Sequence, residues 1–223
     1  MRVTLEIATF DLESALAAAA SGADRIELCR APEAGGLTPP CDWAESAARQ
    51  GGVPVVVMVR AHADGWTFTE AEHAAMRRDA QDAVRAGAAG VVWGALRPDG
   101  TVDEPALHAL TETVAPCEVV FHRAFDAARD LDEALDTLVA CGVARVLTGG
   151  GAGNAADNLD RLGDLVRRAG AQMTVMPGGG VRASNVAEIV RRTGAREVHA
   201  GPRLRNGRVD PEAVRRLAAR LGA

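Results

Sequence analysis

The chain has 223 residues, of which 48% are hydrophobic and 25% are charged, and its formal net charge is -5. This composition excludes a disordered segment, which would need lower hydrophobicity or a stronger net charge. The length is enough for one sizeable core and short for two ordinary domains, so we expect a single domain over residues 1–223.

Composition also excludes several kinds of site. All 25 basic residues are arginine. A Schiff-base lysine, a lysine general base and a Walker-type phosphate lysine are therefore excluded, because arginine cannot take those roles. The arginines are dispersed along an acidic chain and form no basic stripe with interleaved aromatics, so we expect no nucleic-acid partner.

The apolar stretches are short. The longest, such as 53–59 and 15–20, fall well below the roughly 20 residues that a spanning helix needs, so we expect no membrane partner. The N-terminus has no basic segment followed by an apolar one, as a secretory signal would, and we expect a cytoplasmic protein. The four cysteines form no CxxC pair and are expected to be free thiols.

Short β-branched runs alternate with helical patterns along the whole chain. The predicted strands are 3–8, 25–29, 54–60, 90–95, 118–123, 144–148, 172–176 and 197–200. The predicted helices are 12–21, 42–50, 70–86, 104–115, 131–141, 154–169, 184–193 and 211–221. This alternation predicts parallel strands joined by crossover helices, and about 28 residues per unit is typical of an α/β fold of the (β/α)8, TIM-like barrel type. A doubly wound sheet would instead expect a glycine-rich turn after the first strand, where residues 8–11 read ATFD.

Alternate residues of a barrel strand face the interior, so strand parity sorts the polar residues. Parity predicts that Glu6, Glu27, Arg60, His122 and His199 point inward. It also places Thr148 on the side of Val146, which we take as inward. A buried carboxylate must find Arg60, a histidine, a ligand or water. A packing network is the alternative, but five polar groups near the C-terminal ends of five strands favour a ligand-binding cup.

Two glycine runs follow strands six and seven, at 149–151 and 178–180. Because bare amides and helix N-termini bind anions, Thr148, Gly150, Gly179 and Gly180 are predicted to hold an anionic ligand. Arg203 or Arg205 could add positive charge. The alternative is that the glycines only make tight turns.

Thiolates are ligands that Cu(I) prefers. Cys29 ends strand two and Cys41 opens the next helix, so both are expected on the rim of the barrel as metal ligands. Cys117 and Cys141 are expected on the opposite face. For each thiol, the alternative is a small buried hydrophobic side chain.

Seven motifs together resemble the CutC copper-homeostasis family over essentially the whole chain. They are GADRIELC at 22–29, GGLTP at 35–39, VMVR at 57–60, FHRAFD at 121–126, RVLT at 145–148, GGGV at 178–181 with Asn185, and EVH at 197–199. The resemblance implies a TIM-like barrel in the cytosol with a part in copper handling, without a settled reaction. By motif position it implies a pocket of Glu6, Glu27, Arg60, His122, Arg123, Asp126, Asn185 and His199. Gly149 and Gly201 stand where the family usually has serine, which weakens the expectation of anion contacts.

Three functional hypotheses follow. The first is a copper-homeostasis protein that binds Cu(I) through Cys29 and Cys41. The second is an isomerase or lyase acting on a small anionic metabolite. In it Glu6 or Glu27 moves a proton, His122 or His199 is the acid or electrophile, and Arg60 with Arg123 holds the anion. The third is a non-catalytic barrel, favoured if the inward polar groups are fully self-paired. A homodimer is expected because two-fold dimers dominate among oligomers.

Overall fold

Eight parallel strands alternate with eight α-helices in the computed structural model, which describes residues 2–204 and 206–222. The strands are β1 (Thr4–Thr9), β2 (Arg25–Leu28), β3 (Val55–Met58), β4 (Gly90–Trp93), β5 (Glu118–Phe121), β6 (Arg145–Thr148), β7 (Thr174–Pro177) and β8 (Glu197–Ala200). The helices are α1 (Leu12–Ala19), α2 (Cys41–Gln50), α3 (Glu70–Arg85), α4 (Glu104–Val114), α5 (Leu131–Ala140), α6 (Leu159–Ala169), α7 (Val186–Thr193) and α8 (Pro211–Leu221). The predicted (β/α)8 architecture is confirmed.

The strands pair in the order β7-β6-β5-β4-β3-β2-β1-β8, and β7 lies beside β8 to close the cylinder. The register of β1 has a direct consequence for the interior. Glu6 lies opposite Arg25 of β2 on one side and opposite His199 of β8 on the other. Backbone pairing alone therefore places these three side chains in one row across three strands.

Capping residues, whose side chains bond to free backbone N–H groups, define where several helices begin. Asp11, Thr69, Asp103, Asp130 and Asp210 each precede a helix and accept a hydrogen bond from a backbone N–H of its first turn. These N–H groups have no partner within the helix, so a capping oxygen stabilises each helix start by about 1 kcal/mol.

Some predicted boundaries are wrong, for local reasons. Strand β3 ends at Met58, before the predicted Arg60, because the backbone N–H of Arg60 bonds to the hydroxyl of Thr38 at 3.0 Å. Strand β5 ends at Phe121, and a 3-10 turn over Arg123–Ala127 replaces its predicted end. The sixth helix starts at Leu159 after a separate 3-10 turn over Ala155–Asp157.

The strands separate two apolar regions. The larger lies between the sheet and the helices. The smaller fills the barrel and consists of Cys29, Val56, Met58, Val92, Val120, Leu147 and Met176. Glu6 and Glu27 alternate with outward-facing neighbours such as Ile7 and Ile26, so their inward placement is confirmed. The inward assignment of Thr148 is wrong, because Val146 belongs to the outer region and Leu147 to the inner one.

The four cysteines are free thiols, as expected. No helix among residues 2–204 and 206–222 is both long and apolar enough to cross a membrane.

We expect Phe121→Ala to destabilise the protein by about 3–5 kcal/mol, because it leaves a cavity in the outer core. Phe121 is fully buried and packs edge-on against Trp93, with ring centroids 6.1 Å apart. Urea unfolding followed by circular dichroism measures the change. Leu204→Ala is the matched control, because Leu204 is 47% exposed and its loss should change stability by less than about 0.5 kcal/mol. Equal effects of the two substitutions would contradict the assigned core.

Candidate functional site

Glu6 is the centre of a buried ionic cluster inside the barrel. Its carboxylate accepts a hydrogen bond from Arg25 Nε at 2.5 Å and lies 2.8 Å from His199 Nδ1. Glu6 is 0% exposed. Burial acts to raise the pKa of Glu6, but the hydrogen bond and charge of His199, with the charge of Arg25, outweigh it and lower this pKa to about 2. Glu6 is therefore ionised at neutral pH.

Glu27 lies on the other side of the same imidazole, with its Oε2 3.8 Å from His199 Nε2. Burial, the largest cause, raises the pKa of Glu27, and the charge of His199 only partly opposes it. For His199, burial acts to lower the pKa, but the charge of Glu27 and the contact with Glu6 raise it. The imidazole therefore lies between one carboxylate that has lost its proton and one that holds its proton more tightly than usual.

Cys29 adjoins this cluster. Its Sγ lies 3.6 Å from Glu27 Oε2, and the residue is 1% exposed. Burial and the charge of Glu27 raise the pKa of this thiol well above its usual value, so Cys29 is a neutral thiol. The atoms of Glu6, Glu27 and His199 that could bind a metal lie within 4.8 Å of one another.

Three ionic residues of this region were absent from the predicted site, namely Arg25, Glu197 and Arg145. Arg25 bonds to Glu197 as well as to Glu6, and Glu197 in turn accepts a hydrogen bond from Arg145 at 3.0 Å. Strand parity carried the signal for all three, because Arg25 shares the parity of Glu27, Glu197 that of His199 and Arg145 that of the inward-facing Leu147.

Arg60 lies on a different part of the inner wall and forms no part of the Glu6 cluster. Its guanidinium donates to the carbonyls of Ala34 at 3.0 Å and Ala63 at 3.2 Å, and its Cζ lies 4.2 Å from the ring centroid of Trp66. Within the described chain, its Nε has no hydrogen-bond partner although the residue is only 5% exposed. A buried guanidinium N–H without a partner is costly, and is typical of a site that receives a ligand.

The ring of His122 also packs against Trp66, tilted by 54° with ring centroids 4.9 Å apart. Burial, assisted by the charge of Arg60, lowers the pKa of His122 to about 3, so the imidazole is neutral. Its Nδ1 accepts a hydrogen bond from the backbone N–H of Ala124 at 3.1 Å, which places the single ring proton on Nε2. This buried Nε2–H has no partner in the described residues and is free to donate.

The first glycine run does not hold an anion through free amides, contrary to the prediction. Asp126 accepts hydrogen bonds from the backbone N–H groups of Gly149 at 3.0 Å and Gly151 at 3.2 Å. The N–H of Gly150 bonds to the hydroxyl of Thr148 at 2.8 Å, and that hydroxyl donates to Asp126 at 2.5 Å. The side chain of Asp126 thus occupies the position expected for an external anion.

Arg123 connects this first run to the second. It donates from Nε to Asp126 at 2.7 Å and approaches Gly179 so closely that a Cβ there would lie 3.0 Å from Arg123 Nη1. Gly179 also has a φ of +87°, which favours glycine. The side chain of Asn185 is used in the local turn, where it donates to the carbonyl of Gly180 at 3.0 Å and accepts from the N–H of Arg182 at 2.8 Å.

An open cavity of about 820 Å³ lies over His199 at the mouth of the barrel. Four arginines, one aspartate and the second glycine run contribute to its wall, and Glu27 Oε2 lies 3.8 Å from His199 Nε2. The wall residues that bear on ligand charge are Arg123, Gly179, Gly180, Arg182, His199, Arg203, Asp210 and Arg216. The predicted contribution of Arg205 lies outside the described residues.

The two predicted metal ligands lie in different layers of the fold. Cys29 belongs to the inner region, whereas Cys41 is exposed at the start of α2 with its Sγ 3.7 Å from the backbone carbonyl of Asp82 in α3. The structure therefore does not bring the two thiols together. Cys41 starts a helix, where strand parity gives no information about which way a side chain points.

Comparison with known proteins adds three findings. The CutC family model matches residues 3–203. A CutC family protein of Mesorhizobium japonicum is 42% identical over 195 residues, which cover 87% of this chain and 76% of the relative. The solved structure of CutC from Streptococcus agalactiae, described as a candidate copper homeostasis protein, has a TM-score of 0.84 at 28% identity and covers 88% of this chain and 97% of its own. Phosphoribosyl anthranilate isomerase of Thermococcus kodakaraensis shares the fold alone, with a TM-score of 0.65 at 16% identity over 99% of both chains.

The pKa of His122 predicts a component of acid sensitivity. Because its folded value of about 3 lies below the ordinary 6.5, this group stabilises the fold fully above pH 6.5 and loses that contribution as the pH falls from 6.5 to 3. Between pH 7 and pH 5, wild type should lose about 2 kcal/mol more stability than His122→Gln. Urea unfolding at both pH values measures this difference. Parallel pH dependences would show that His122 is not held neutral by burial.

Proposed function

Since the chain belongs to the CutC family, we propose that it serves copper homeostasis by binding Cu(I) in the cytoplasm. The name of the Streptococcus agalactiae protein supports the copper part of this proposal. The observation that carries the binding part is the position of Cys29 inside the barrel, where its thiol contacts Glu27 next to the imidazole of His199. A thiolate and an imidazole are the ligands that suit Cu(I) best in this cluster.

The separation of the thiols makes the proposed site a single-thiolate site. Cys41 faces α3 on the outside, so among the described residues Cys29 supplies the only thiol to the cluster. Before Cu(I) can bind, the buried thiol must lose its proton. The Oε2 of Glu27 is the adjacent acceptor at 3.6 Å, and the cation would replace the proton as the positive charge among the carboxylates.

Cu(I) affinity should therefore depend on Cys29 and rise with pH. We expect Cys29→Ser to weaken binding by more than about a hundredfold, which exceeds the usual effect of losing an outer contact of a metal site. For wild type, Kd should fall by about tenfold per pH unit, because one proton leaves for each ion bound. Anaerobic competition with a chromophoric Cu(I) chelator measures both effects.

Cys41→Ser is the matched control for this experiment and should bind as wild type does. An equal loss of Cu(I) affinity in the two variants would show that both thiols bind the ion, and would contradict the single-thiolate site. Wild-type affinity in Cys29→Ser would overturn the copper proposal itself.

A second function, acid–base catalysis on a small anionic metabolite, is favoured by one specific observation. Three buried polar atoms inside the barrel have no hydrogen-bond partner among the described residues, namely Glu27 Oε1, Arg60 Nε and His122 Nε2. In a non-catalytic barrel these groups would be paired with one another. Their unused hydrogen-bonding capacity supports a ligand with both donor and acceptor atoms.

The three groups differ in the roles they suit. Glu27, whose pKa is raised by burial, is the carboxyl group of the site best suited to hold and release a proton. The neutral His122 can donate from Nε2 to an oxygen that gains negative charge, a role that needs an imidazole which does not itself ionise. Arg60 can donate to an anionic group. Proton transfer next to a carbonyl, as in an isomerase or a lyase, is the reaction class that this combination supports.

The cavity over His199 gives this second function a test. A small phosphate or carboxylate compound that binds there should raise Tm by about 5 °C at a hundredfold excess over Kd. Arg182→Ala should remove that shift, because Arg182 lies in the cavity wall. Arg191→Ala is the matched control on α7 outside that wall and should preserve it. A panel of anions that stabilises none of these proteins would overturn the proposal.

The homodimer expected from the sequence stays a prediction. It bears on neither proposal, because every group invoked above belongs to one chain.

A further inference from the structure

A second cluster of metal-ligating side chains lies outside the barrel, between α4 and the end of α5. Glu104 and His108 are four residues apart on α4 and therefore share one helix face. Cys141 follows the last residue of α5. The Nε2 of His108 lies 3.6 Å from Cys141 Sγ and 3.7 Å from Glu104 Oε1. One ligand atom from each residue lies within 4.8 Å of the other two.

The separation between the sulfur and nitrogen atoms matches the geometry of a tetrahedral ion. With bonds of about 2.3 Å to sulfur and about 2.0 Å to nitrogen, tetrahedral coordination places those two atoms about 3.5 Å apart. The observed Sγ–Nε2 separation is 3.6 Å. A linear two-coordinate ion with bonds of the same lengths would need about 4.3 Å. The cluster thus fits a tetrahedral cation better than a linear one.

The surroundings of the cluster also suit a cation. The side chains of His108 and Glu104 are 52% and 55% exposed, so both can adjust their rotamers and leave one coordination position open to water. Cys141 is nearly buried, and its pKa is raised by burial and by the charge of Glu104. A divalent ion bound to one thiolate, one carboxylate and one neutral imidazole forms a site of zero net charge, which removes that repulsion.

We propose that Glu104, His108 and Cys141 form a binding site for a tetrahedral divalent cation of the Zn²⁺ class, with water in the fourth position. Mixed sulfur, nitrogen and oxygen ligation is the set that Zn²⁺ accepts. The site joins α4 to the end of α5, and it is independent of the copper and metabolite proposals because it shares no residue with the barrel interior.

Cobalt(II) is the probe for this site, because a bound thiolate gives it a strong near-ultraviolet charge-transfer absorption. Wild type should show this absorption, and Zn²⁺ should displace the cobalt with a higher affinity. Cys141→Ala should lose the absorption, and His108→Ala should weaken Zn²⁺ binding by more than about tenfold. His108→Cys should restore binding, because it supplies a second thiolate at the same position.

Two matched controls locate the ion. Cys29→Ala removes the thiol inside the barrel and should keep the full cobalt absorption. His62→Ala removes another imidazole that pairs with a carboxylate, Glu72 at 3.3 Å, and should also bind as wild type does. Absorption that persists in Cys141→Ala and disappears in Cys29→Ala would move the ion into the barrel and overturn the proposal. Equal Zn²⁺ affinity in wild type, His108→Ala and Cys141→Ala would also overturn it.

Discussion

A single buried carboxylate organises the interior of this barrel. Glu6 is fully enclosed, and the strand register holds it between Arg25 and His199. Removing one partner from such a buried ionic group costs about 3–5 kcal/mol, because the remaining charge cannot reach water. The register of β1 against β2 and β8 is therefore tied to the charge state of the site, since a shift of one residue would turn Glu6 into the apolar outer core.

The two interior glutamates illustrate how one fold gives similar side chains different chemistry. Glu6 has strong partners on both sides and stays ionised, whereas Glu27 has an oxygen without a described partner and a raised pKa. The imidazole of His199 lies between them and couples their protonation. Cys29 touches only the second glutamate. Any metal or metabolite that reaches this region meets a weakly basic carboxylate, Glu6, whose hydrogen bonds are already made, and a more basic one, Glu27, that still has a free oxygen.

Much of this arrangement could be predicted from the sequence because barrel strands obey a period of two. Parity turned Glu6, Glu27 and His199 to the inner side, where they meet, but it did not show that Arg60 and His122 form a separate group around Trp66. The parity rule gave the wrong side for Thr148, because Val146, the neighbour taken as inward-facing, faces outward. The rule was not applied to Arg25. Parity gives no guidance beyond the strands. The orientation of Cys41 depends on how α2 packs against α3, and the occupation of the first glycine run by Asp126 depends on a contact across 23 residues.

The inner wall of the barrel carries different side-chain chemistry on each of its sides. Carboxylates and His199 project from β1, β2 and β8, whereas Arg60, Trp66 and His122, which pack against one another through Trp66, come from the segments that follow β3 and β5. The glycine run held by Arg123 forms a third side. A site with three chemically distinct sides can distinguish a chiral ligand from its mirror image. A chiral ligand bound between these three sides would present one of its faces to Glu27, because no rotation of the ligand exchanges one side for another.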